Sequence, residues 1–254
     1  MFNKPHMTVY PIEEEYLKFL TPPQLASKNL APWMKGMPSY YTPHKSVDEN
    51  NDPTTTIKKC MPVIDSMTAG YHILLPCDVW VKRVQDDYSG EGVDIKWALS
   101  HLKLVELHKK EQLVDYPLDD SYEQIIFKWI NPWIIETRKG WSTLFITPLH
   151  HPEIPFYCFP GLVDTDKFPI PVNFPFLIKK GFEGLIPKGT PIIQMIPVKR
   201  EKTNCVYKKY NKKFLHSWFK ASSVFFNIYK KHFHQKKEYT TSESKCPFSK
   251  LISR

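Results

Sequence analysis

Glycine is scarce in this chain, nine residues in 254, and none of them forms a glycine-rich phosphate loop. The five cysteines (Cys60, Cys77, Cys158, Cys205 and Cys246) are odd in number, widely spaced and form no Cys-x-x-Cys pair. That spacing argues against a disulfide framework or a zinc ribbon and predicts reduced thiols in a cytoplasm. No apolar run approaches the roughly 18–20 residues of a membrane span. The first twenty residues carry three consecutive glutamates and no long apolar core, so a secretory signal is not expected there. There is no Gly-x-Ser-x-Gly elbow. The histidines are poorly placed to share a metal: His150 and His151 are adjacent, and His101 and His108 lie seven apart. Metal catalysis and serine-hydrolase chemistry are therefore not expected.

Proline is abundant instead, with 23 residues, and aromatic residues make up 14% of the chain. Many prolines between short apolar runs favour short strands and ordered loops over long helices. The net charge of +9 is unevenly spread. Residues 202–237 contain ten lysines and no acid, whereas residues 1–201 hold 22 basic and 24 acidic side chains. One segment supplies the whole excess.

Three regions follow from the patterning. Residues 1–58 read as a proline-rich N-terminal arm, with a short helix at 12–20 and Trp33, Met34, Tyr40 and Tyr41 as packing anchors. Residues 59–201 read as a β core: "YHILLPCDVWVKR", "YEQIIFKWINPWIIETR", "GWSTLFITPL" and the runs after them are strand-like segments bounded by Pro, Gly or Asp. Regular spacing of this kind predicts an antiparallel barrel or sandwich. Within it, residues 97–113 have apolar side chains at three- and four-residue spacing and predict a helical insertion. Residues 202–254 read as a basic amphipathic helix of about 20–25 residues, then a tail, from the near-helical recurrence of Phe214, Trp218, Phe225, Ile228, Tyr229 and His232.

Four short motifs carry a resemblance. They are Ala69-Gly70-Tyr71, Gly140-Trp141-Ser142-Thr143-Leu144, Gly161-Leu162-Val163-Asp164-Thr165-Asp166, and Lys188-Gly189-Thr190-Pro191-Ile192-Ile193-Gln194. Their order over residues 60–200 resembles the dUTPase and dCTP deaminase superfamily, which implies a distorted, often trimeric β-barrel. The Cys60-Met61-Pro62 start with the same central segments also resembles a family of uncharacterised bacterial and tailed-phage proteins. That resemblance brings no function with it; a phage-encoded protein would lie in the host cytoplasm or the virion, and a homo-trimer and a phage assembly partner both stay open. Carried over position by position, Asp164 would activate water as a general base and Ser142 would contact phosphate. His72 stands where those enzymes have an aspartate. Trp141, Ile146 and Pro191 stand where they have arginines, so the charge-assisted phosphate contacts are gone.

Two function classes remain open at this point. The preferred one is a binding or assembly scaffold without triphosphatase activity or cofactor. The alternative is a nucleotide- or small-molecule-processing enzyme, using magnesium, with Asp164 as base and His72, Trp141, Ser142 and Asp166 lining the pocket. Asp164 and Asp166 also suit a turn for local reasons, and His72 in a strand also reads as a structural histidine. The basic tail, with Lys208, Lys209, Lys212, Lys213, Lys230 and Lys231, reads as a solvated face, a dock for a partner subunit, or a nucleic-acid contact lacking arginine for base reading.

Overall fold

The computed structural model describes residues 6–41, 54–85, 92–168, 170–213, 215–216, 219 and 229–241. The chain forms two compact units, one of Met1–Asn29, Ala69–Arg200 and Tyr239–Arg254, the other of Leu30–Thr68 and Glu201–Glu238.

The first unit is β, and all its paired strands are antiparallel. Five strands form its largest sheet: β2 (Gln24–Leu25), β3 (Tyr71–Leu74), β9 (Trp141–Ile146), β11 (Gly161–Val163) and β14 (Pro191–Lys199), in the order β11-β9-β14-β3-β2. A second sheet orders β10 (Phe156–Cys158), β12 (Phe174–Lys179), β7 (Tyr122–Trp129) and β6 (Val105–Leu107). A third joins β13 (Gly184–Ile186), β4 (Val79–Val84) and β5 (Gly92–Trp97), and β1 (Met7–Pro11) pairs with β8 (Trp133–Thr137). No barrel closes among the described residues; the fold is mainly β, as the periodicity predicts.

The four groups of strands contribute to one apolar core. At its centre Trp129 of β7 stacks on Phe176 of β12, rings nearly parallel at 4.2 Å, with Phe156 edge-on to Trp129. Ile73, Val79, Ile135, Phe145, Ile186 and Met195 bring the remaining sheets into the same cluster. The break between β7 and β8 falls at Asn131-Pro132, where proline removes a ladder donor. The buried Asn131 side chain compensates: its amide donates to the Trp133 carbonyl at 2.8 Å and its oxygen accepts from the Trp133 N–H at 3.0 Å.

The second unit is small. Helices α1 (Pro32–Gly36) and α2 (Met61–Thr68) meet through buried Ala31, Met34 and Met67. Asp65 of α2 accepts from Lys237 at 2.7 Å and lies 3.1 Å from His234, which ties residues 234–237 to this helix. Burial pushes the Asp65 carboxyl up, but the bonds from Lys237 and His234 outweigh it and hold the group below its ordinary value.

Two sequence expectations change, and a third is seen only in part. The helical insertion at 97–113 is absent: Trp97 ends β5, Val105–Leu107 is a strand, and only a 3-10 turn follows at Lys110–Leu113. Short apolar runs do not separate helix from strand by spacing alone, and pairing of Val105 with Trp129 decides the outcome. The N-terminal residues are not all arm, since β1 pairs with β8 and β2 with β3. The expected C-terminal helix falls partly on residues 214, 217, 218 and 220–228, outside the described residues. Among those described, residues 201–211 have no regular structure, Lys212, Lys213, Leu215, His216 and Phe219 are helical with the Leu215 N–H donating to the Asn211 carbonyl at 3.1 Å, and Tyr229–Phe233 is a single π-helical turn. Ten lysines along one segment repel one another; among the described residues Asp65 pairs with Lys237 and Glu238 with Lys236.

The Ala69-Gly70-Tyr71 turn has a steric reason for its glycine. Gly70 sits at φ +69°, and a Cβ there would run into the carbonyl oxygen of Met195 on β14. Gly70→Ala should therefore lose more than about 2 kcal/mol, since left-handed strain adds to a backbone clash. The urea midpoint of the variant measures this, and an unchanged midpoint would refute the packing account.

Candidate functional site

Strands β9 and β11 pair with Thr143 opposite Val163, so the motif beginning at Gly140 lies beside the one ending at Asp166. Ser142 donates its hydroxyl proton to Asp164 Oδ1 at 2.8 Å. The Gly140 N–H donates to Asp166 Oδ2 at 2.9 Å. The Thr143 and Thr165 hydroxyls are 2.8 Å apart. Each half of one motif thus binds a counterpart in the other.

Arg200, one residue past β14, closes this arrangement. Its Nη1 lies 2.7 Å from Asp164 Oδ1 and 3.2 Å from the Ser142 oxygen, its Nη2 pairs with Asp166 Oδ2, and its N–H donates to the Gly140 carbonyl at 2.8 Å. The Asp164 side chain is 59% exposed, whereas that of Asp166 is 1% exposed. The Ser142 hydroxyl, then Arg200, hold the Asp164 carboxyl below the usual carboxylate range; Arg200, then the Gly140 N–H, do the same for Asp166. The Asp164 carbonyl also accepts from the N–H groups of Lys167 and Phe168, so the residue caps its turn.

Below lies a buried hydroxyl chain. Thr137 donates to the Trp141 carbonyl at 2.8 Å and contacts the Thr165 hydroxyl at 2.7 Å. A hydroxyl has one proton to give, so the order is fixed: Thr143 donates to Thr165, Thr165 to Thr137, and Thr137 to the carbonyl.

The residues expected to form a pocket divide into two places. Ser142, Asp164 and Asp166 come together, whereas Trp141, the neighbour of Ser142 on β9, sets its half-buried ring 5.0 Å from that of His6. His72 does not join them. It faces Gln194 on β14, whereas Ser142 faces Val198, four residues or about 13 Å further along. His72 is 1% exposed, and neither ring nitrogen has a hydrogen-bond partner among the described residues. Burial, then the neighbouring His151 at 5.6 Å between rings, depress its pKa to about 3; the Gln194 side chain opposes them. Gln194 itself spans two backbones, donating to the Ala69 carbonyl at 2.7 Å and accepting from the Leu149 N–H at 2.9 Å. Lys208, Lys209, Lys212, Lys213, Lys230 and Lys231 are all exposed.

Sequence reading missed Arg200, Thr137 and Thr165. Arg200 lies outside every motif, and its only signal was position, immediately beyond the last strand. A divalent cation would have to displace its guanidinium from both carboxylates, so the pair as arranged does not fit magnesium. No group of three metal-ligating side chains occurs among the described residues, and no helix among them is long and apolar enough to cross a membrane.

Comparison with protein-family models, curated proteins and solved structures found no match to this chain.

Two outcomes follow. Thr165→Val keeps the volume but strands the Thr143 donor and the Thr137 acceptor, and should cost about 1–3 kcal/mol in chemical denaturation. Loss of less than that would mean the hydroxyl chain is wet. His72 stays neutral in the fold but titrates near 6.5 when unfolded, so the unfolded state takes up the proton first as pH falls. Stability should drop by about 2 kcal/mol between pH 7.5 and 5 on this account, and His72→Gln should remove that part of the slope. Melting curves of both proteins across this range test the sign.

Proposed function

We propose that the protein is a binding or assembly scaffold on a dUTPase-like β fold, without triphosphatase activity. The observation that carries this reading is the engagement of Asp164, the one candidate base, by Ser142 and Arg200 on the same oxygen. A general base works best with a pKa near the operating pH, and these contacts move Asp164 the other way. The Arg200 guanidinium is already shared between the two carboxylates, so it is not free to meet an approaching phosphate. With Trp141 in place of an arginine, nothing on β9 offsets that.

Two edges of the β unit supply surfaces for a partner, either a second copy of the chain in a homo-trimer or another assembly protein. Strand β11 lies at one end of the five-stranded sheet with Leu162 exposed, and β13 ends its sheet with Leu185 exposed opposite the exposed Trp80. Open edges with apolar side chains favour strand addition.

Incubation of the purified protein with deoxynucleoside triphosphates and magnesium should release no phosphate, pyrophosphate or ammonia above the buffer rate. Turnover that Asp164→Ala abolishes would overturn the reading in favour of a nucleotide-processing enzyme.

A further inference from the structure

The excess charge of the protein resides in its second unit. From the sequence, that unit holds fourteen basic and six acidic residues, against 21 and 20 in the first. Between 202 and 237 there is no acid at all. Within this stretch residues 206–213, Val-Tyr-Lys-Lys-Tyr-Asn-Lys-Lys, are all exposed. Tyr207 is 93% and Tyr210 77% exposed, although a tyrosine ring is normally at least partly covered by its own protein. None of Lys208, Lys209, Lys212 or Lys213 has an ion-pair partner among the described residues.

We infer that residues 206–213 bind single-stranded nucleic acid, with Tyr207 and Tyr210 stacking on unpaired bases and the four lysines meeting phosphates. The chemistry has three parts. Lysines that release counterions from a phosphate backbone bind it without regard to sequence. Aromatic rings left open to solvent offer bases a face, and every base has one. Residues 206–213 contain no arginine, so the bidentate reading of guanine is missing and binding is sequence-tolerant. A duplex hides its base faces and would leave both tyrosines without a role. An anionic membrane surface is disfavoured by conformation: lying in such an interface takes an amphipathic helix, and residues 206–211, which hold both tyrosines, have no regular structure, helix beginning only at Lys212. This inference uses no residue of the Ser142–Arg200 cluster, so it stands or falls independently of the scaffold reading.

The test uses the full chain and a labelled oligothymidine of about 20 nucleotides, longer than the footprints of such segments, read by fluorescence anisotropy. Affinity should fall steeply between about 50 and 200 mM salt. The variant Lys208→Gln/Lys209→Gln/Lys212→Gln/Lys213→Gln should bind more weakly, with a log–log salt slope shallower by about 3. Tyr207→Ala/Tyr210→Ala should lose about 5- to 150-fold per missing stack at an unchanged slope. All six side chains are exposed, and an unchanged melting temperature confirms that each variant is folded. Absence of binding at 50 mM salt would overturn the inference. So would equal affinity for a duplex, an unaffected tyrosine variant, or preference for anionic phospholipid vesicles over the oligonucleotide.

Discussion

Strand β14 carries the β unit. Its nine residues pair with β3 on one side and β9 on the other, and both motif-bearing turns are positioned by those two neighbours. Such a central strand must satisfy its backbone on both edges and bury side chains on both faces. Met195 and Ile193 supply the core face, while Gln194 faces His72. Gln194 is the costly member, a buried amide. It is tolerated because its donor and acceptor ends meet the Ala69 and Leu149 backbones. Remove that strand and the β3 turn, the β9 turn and the Arg200 contacts all lose their frame.

Much of the β character was legible because its signal is local. Runs such as "YEQIIFKW" and "WIIET" alternate or stay apolar over strand lengths and end at proline or glycine, and the chain pairs where they end. The segment at 97–113 misled for the same reason. Leu99, Leu102, Leu104 and Val105 sit at spacings that a helix and a turn-plus-strand share, and only β7, more than fifteen residues later, distinguishes them. The first strands were hidden too: "MTVYP" reads as part of a proline-rich arm until β8 supplies its partner.

The cluster was half legible. Ser142, Asp164 and Asp166 stood out as chemistry-bearing letters in short motifs, and they do converge. What holds them together was not legible, because it depends on Arg200, 58 residues from Ser142 and in no motif. His72 was misplaced for a related reason. Strand pairing puts it beside Gln194, on the same strand that serves Ser142 but several residues away, and sequence proximity to Ala69-Gly70-Tyr71 says nothing about that register.

The threonine chain and the paired carboxylates have a consequence for descent. Gly140, Ser142 and Thr143 are each answered by a residue of the Asp164-Thr165-Asp166 segment, and Arg200 binds both aspartates. A substitution at one position leaves its partner unsatisfied, so changes are tolerated in pairs and resisted singly. Folding alone then couples the two motifs, side chain to side chain, whether or not a ligand touches them. In a fold wired this way, the shared letters of two motifs record mutual dependence among side chains and are by themselves no sign of catalysis.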